Sequence, residues 1–164
     1  MKGFSLLETV VAIAILTLAI LGPLSLASFT LSRASLSENE IVAYNLAEEA
    51  LEFMVNKRDS RVFAGQNWDS DFTPCQNVNG CYVDVSNDVV TACSANCPVI
   101  MRDPATGLYN YTSGPATIFN RTVFIDDNNL DNRDEAVIRV RVTWDERFAP
   151  NKSFTIEHHL FEKE

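Results

Sequence analysis

Lys2-Gly3-Phe4-Ser5-Leu6-Leu7-Glu8-Thr9-Val10-Val11-Ala12 opens a charge-free run, with no charged residue between Glu8 and Arg33. From Thr9 to Leu31, 16 of 23 residues are apolar. About 20 apolar residues suffice to cross a bilayer. The averages of the whole chain hide this: 164 residues, 46% apolar and 21% charged, would suit an ordinary soluble domain. The run argues against a plain cytoplasmic globular protein. With 22 acidic and 13 basic residues the net charge is −9. No basic patch is present to neutralise phosphates, which argues against nucleic acid as a partner.

The run does not read as an ordinary cleaved secretory signal. Only Lys2 precedes it, and its exit, Ser28-Phe29-Thr30-Leu31-Ser32-Arg33, holds no A-x-A site. Its first turn carries a carboxylate, Glu8, which costs roughly 2.5–3.5 kcal/mol at mid-membrane depth. Such a residue points to function. Cys75, Cys81, Cys93 and Cys97 follow the spacing C-x5-C-x11-C-x3-C. Zinc sites favour tighter pairs, so two disulfides in an oxidising compartment are the expectation. All three connectivities stay open.

The string Gly3-Phe4-Ser5-Leu6-Leu7-Glu8, joined to the apolar run, resembles the N-terminus of type IV pilins and pseudopilins. The resemblance implies a leader 1–3, cut after Gly3 by a prepilin peptidase, and N-methylation of the new terminal Phe4. It implies that Glu8, the fifth mature residue, meets the Phe4 ammonium of an adjoining subunit during assembly. Two buried charges are tolerable as a pair, and one alone is not. The partners implied are the peptidase, other pilin subunits, an inner-membrane assembly platform and, before assembly, membrane lipid. The chain would wait as a single-pass inner-membrane protein with its head outside, and then enter a pilus or pseudopilus. FSLLETVVAIAIL departs from the FTLIE-type opening of major pilins, and Pro23 from their commonest pattern. Both departures favour a minor pilin or a type II secretion pseudopilin.

The helical pattern continues beyond the run. Ala43, Tyr44, Ala47, Ala50, Leu51, Met54 and Val55 recur at three- and four-residue steps, with Glu48, Glu49, Glu52 and Asn56 between them. That is an amphipathic helix with one face to bury. A helix is expected over 4–57, its segment 4–31 lying in the membrane or filament core, and a head over 58–164. Gly22-Pro23 is expected to interrupt or kink it.

In the head, Cys81–Val85 and Thr117–Ile125 read as strands. Ala136, Ile138, Val140, Val142 and Trp144 alternate with polar residues, as do Phe154, Ile156 and Leu160. A turn is expected at Ala149-Pro150-Asn151, and the rest of the stretch from Cys75 to Cys97 reads as loop. The fold class is therefore α+β: a long N-terminal helix, apolar then amphipathic, packed on a small antiparallel sheet with a disulfide-braced loop region.

No catalytic motif is present: no HExxH, GxSxG, P-loop or CxxC. An enzyme is not expected, nor a resident cofactor. His158 shares the apolar parity of its strand and reads as a core-edge histidine. The acidic stretch 126–135 offers Asp127, Asn129 and Asp131 as weak calcium ligands, although Asn132 stands where an EF-hand needs glycine. A solvated hairpin loop is the plainer reading. The functional expectation is a non-enzymatic subunit of a pilus, pseudopilus or tip complex. Its rival is a monomeric single-pass membrane protein with an extracytoplasmic ligand-binding head.

Overall fold

The computed structural model describes residues 5–68, 71–127, 135–146 and 149–161. It has one α-helix, α1 (Leu6–Phe63), followed by seven strands. These are β1 (Cys81–Asp84), β2 (Val89–Ala92), β3 (Val99–Arg102), β4 (Tyr109–Asn110), β5 (Ala116–Asp127), β6 (Glu135–Glu146) and β7 (Ala149–Phe161). The chain forms two compact units, 1–39 and 40–164.

In the first unit the helix starts where the Ser5 carbonyl accepts the Glu8 and Thr9 N–H groups at 3.0 and 3.2 Å. Gly22-Pro23 does not break it: α1 continues through Pro23. Proline removes one donor, the bond its N–H would give to the Ala19 carbonyl, and the turns on either side hold.

In the second unit, Ala43, Leu46, Ala47, Ala50 and Met54 are buried against the sheet. The three alanines present small side chains to the strands. Helix α1 also runs past the expected end at residue 57 to Phe63. The sequence after Asn56 changes in composition but holds no Gly or Pro before Gly65. There the helix stops in a Schellman motif. Gly65, at φ +65°, donates to the Val62 carbonyl at 3.0 Å, and Gln66 donates to Arg61 at 2.9 Å.

The sheet is antiparallel throughout. Strand β5 is its axis. One edge pairs with β6 from Phe119 to Asp127. The other is shared, β3 meeting Ala116 and Asn120 and β1 meeting Val123. Strand β7 lies on the far side of β6, β2 beyond β1 and β4 beyond β3. The alternation of β6 holds in full: Ala136, Ile138, Val140, Val142 and Trp144 are all buried.

Three expectations about the head are corrected. The stretch from Cys75 to Cys97 is less loop-like than its composition suggests, since β2 pairs with β1 from Val89 to Ala92 as a hairpin. Ala149-Pro150-Asn151 is the bulged start of β7 rather than a turn. The register shifts opposite Trp144 and Glu146, and Asn151, at φ +57°, donates its N–H to Asp145 at 2.8 Å. His158 is exposed although its parity matches Phe154 and Leu160, because β7 is an edge strand whose flank stays open.

Candidate functional site

Glu8 stands in the first turn of α1 with its side chain exposed. Around it, Leu6–Leu31 is one stretch long and apolar enough to cross a membrane, with no part of it buried. Four of its hydroxyls are satisfied within the helix. Thr9, Thr17 and Thr30 donate to carbonyls three residues back at 2.8–2.9 Å, and Ser28 to Leu24 at 3.1 Å. A polar group in hydrocarbon needs such a partner. Glu8 is the one ionisable residue of the stretch. Gly3 and Phe4 lie outside the described residues.

The four cysteines form two disulfides between nearest neighbours, Cys75–Cys81 and Cys93–Cys97. Gly80 makes the first junction possible. It sits at φ +69°, and a Cβ there would lie 2.7 Å from the Val123 carbonyl and from the Thr122 methyl. Of the calcium candidates, Asn129 and Asp131 lie outside the described residues, and Asp127 closes β5 opposite Ala136. Among the described residues no three His, Cys, Asp or Glu side chains gather to hold a metal.

Set against known proteins, the chain finds no match. No family model fits it, and no curated protein or solved structure is similar enough to supply a relative.

Sequence reasoning missed Arg121. Phe119, Val123 and Ile125 of β5 face the core, so position 121 faces it too, and an arginine stands there only 2% exposed. Its Nη1 donates to the Leu46 carbonyl at 2.8 Å and to Glu49 Oε2 at 2.7 Å. Its Nη2 donates to the Val83 carbonyl at 2.7 Å. The guanidinium lies 5.9 Å from the Tyr111 ring centre. Burial pushes the Tyr111 phenol above its ordinary range, and Arg121 partly opposes that shift. The arrangement ties helix, β1 and β5 together. It binds backbone and one carboxylate, and no reacting group faces it. The signal was present in the sequence as a basic residue at the inward parity of an otherwise apolar strand.

Proposed function

We propose that this chain is a minor type IV pilin or a type II secretion pseudopilin, a non-enzymatic subunit. On this reading it is cut after Gly3, methylated on Phe4 and assembled through its N-terminal helix. The observation that carries the proposal is α1 itself. Its stretch Leu6–Leu31 is apolar and wholly unburied, whereas the same helix from Ala43 to Met54 is buried under an antiparallel sheet. Such a stretch needs lipid or copies of itself around it. Disulfides support an extracytoplasmic head.

The chemistry of assembly follows from one charge in an apolar surrounding. Glu8 in a helix bundle is costly until a cation lies opposite it. A Phe4 ammonium, freed by cleavage, supplies that cation from a neighbouring subunit, and methylation leaves its charge in place. Only one axial offset between helices brings the two together, so the pair sets register as well as affinity. The subunit would wait in the inner membrane until an assembly platform draws it out.

Mass spectrometry of the N-terminal peptide from membrane or filament fractions tests the reading. A methylated Phe4 terminus is expected. Intact Met1 on assembled protein overturns it and leaves the membrane-anchored ligand-binding reading.

A further inference from the structure

The outward face of the sheet carries a groove of about 570 Å³ beside the two disulfide loops. Its floor is the outer side of β5 and β6, with Asn120, Thr122 and Phe124 on one strand and Arg141 and Thr143 on the other. In register, Asn120 faces Thr143 and Thr122 faces Arg141. Residues 78–79, from the loop closed by Cys75–Cys81, and 95–97, from the loop closed by Cys93–Cys97, also line it. The loops are held in place. The Asn79 amide donates to the Ser94 carbonyl at 2.8 Å, joining one loop to the other. The Asn120 amide donates to the Cys97 carbonyl at 2.6 Å, joining loop to sheet.

Within this groove Arg141 is a cation without a carboxylate. Lys57, Arg58, Arg61, Arg121, Arg139 and Lys152 each meet one, and Arg102, which does not, donates to the Gly107 carbonyl at 3.2 Å. Arg141 makes no hydrogen bond or ion pair among the described residues, and its guanidinium lies 5.5 Å from the centre of the Phe124 ring. In a chain of net charge −9, a guanidinium left open beside hydroxyls and amides complements a single negative charge.

We propose that this groove binds a carboxylate-bearing saccharide, such as a uronic or sialic acid residue at the end of a glycan. The carboxylate would meet Arg141. Sugar hydroxyls both donate and accept, as do the side chains of Thr122, Thr143 and Asn79. The volume suits a small ligand. A polyanionic nucleic acid needs several cations along its backbone, and the described groove offers one. An extended peptide would join a sheet through a free strand edge, whereas β5 is paired along both edges here. The assignment stands apart from the assembly reading, since no residue of the apolar helix enters it.

The test uses the full chain in detergent micelles. Calorimetric titration would compare glucuronate-, galacturonate- and sialate-terminated disaccharides with their carboxyl-reduced counterparts, alongside a short single-stranded oligonucleotide. At least one acidic disaccharide is expected to bind at millimolar concentration or below, roughly tenfold tighter than its reduced form. Arg141→Gln, an exposed change that should leave the far-UV spectrum intact, is expected to bring the two forms level. Thr143→Val should weaken both forms. The proposal is overturned if none of the acidic sugars binds, if Arg141→Gln binds as the parent does, or if the oligonucleotide outcompetes every sugar.

Discussion

Arg121 Nη1 lies 2.8 Å from the carbonyl oxygen of Leu46, joining strand β5 to the middle of helix α1 across 75 positions of chain. A helix-interior carbonyl gives one lone pair to its own turn, and the Leu46 oxygen uses its second for this bond. The bond therefore fixes the helix against the sheet in both rotation and translation. Nη2 does the same for β1 through Val83.

Replacing Arg121 by Met keeps the aliphatic stem and removes every donor. The Leu46 and Val83 carbonyls lose a partner, while Glu49, 40% exposed, turns to water. A loss of about 2–3 kcal/mol is expected. Arg121→Lys should recover only part of it, since an ammonium does not span three acceptors as the planar fork does. Urea midpoints of the full chain in micelles, read by tryptophan fluorescence, measure both.

Gly80→Ala should cost about 2–3 kcal/mol, combining a left-handed backbone with overpacking. The added methyl meets the Val123 carbonyl at 2.7 Å, and the Cys75–Cys81 bond keeps the neighbouring backbone from retreating. Gly65→Ala is the control. It too has positive φ, but nothing lies within 4 Å of its Cβ, so about 1 kcal/mol is expected. Equal costs at the two positions would show that sterics at Gly80 contribute nothing.

The disulfides join residues only 6 and 4 positions apart. Loop-closure entropy for such short loops is worth about 2 kcal/mol each. The Cys93→Ser, Cys97→Ser double variant should lose about that much and stay folded. Thiol labelling of the denatured, unreduced parent should find no free cysteine.

Glu157 and Arg139 face each other across β6 and β7, with a second carboxylate, Asp126, 3.1 Å from the guanidinium. The hydrogen bond from Arg139, and then its charge, hold the Glu157 carboxyl below the ordinary range. A depressed folded value means that the stabilisation is complete above the unfolded value and disappears as pH falls through the folded one. The stability difference between parent and Glu157→Gln should therefore be small and constant near neutrality, and shrink to nothing in acid. Because the pair is exposed, about 1 M salt should reduce it at every pH. A difference that persists in acid would assign it to packing.

Glu8→Ala is expected to leave the melting of the head unchanged, since Glu8 belongs to the unit 1–39 and the strands to the other. Assembly is where the loss should appear. A Phe4 ammonium entering a bundle opposite alanine would stay unpaired, at a cost of several kcal/mol. The variant should accumulate in the membrane fraction with little protein in sheared filaments or the tip complex. Glu8→Gln separates charge from shape: a defect equal to that of alanine points to charge. Incorporation of Glu8→Ala at the parent level would remove Glu8 as the register device.

The long elements were legible because their periods run far enough to be read. Strand β6 alternates from Ala136 to Trp144, and α1 repeats its apolar face from Ala43 to Met54. Strands β2, β3 and β4 were not legible: each has two to four residues among turn formers, without the Tyr82-Val83-Asp84-Val85 alternation that marks the equally short β1. The disulfide pairing was not legible either, because spacing permits three pairings and the β1–β2 hairpin decides among them. Cys81 opposite Ala92 puts Cys93 beyond the end of the ladder, within reach of Cys97. Arg121 was hidden by its own strand. Alternation marks position 121 as buried, and the habit of placing arginine outside conflicts with it. The groove arises from cross-strand neighbours, and a linear reading holds no trace of them.

The small size of the two crosslinked loops has a mechanical consequence. Almost the entire contour of the head lies outside them, so tension applied between α1 and the C-terminal strand meets no covalent stop. Strand β7 is hydrogen-bonded to β6 alone within the sheet, with Phe154, Ile156 and Leu160 packed on the core, and once that ladder and packing yield the chain can pay out at roughly 3.3–3.6 Å per residue. The loops beside the groove would keep their covalent closure while the sheet beneath them unravelled. Under load such a head is expected to extend as a damper would, where a long-range crosslink would have made it a rigid link.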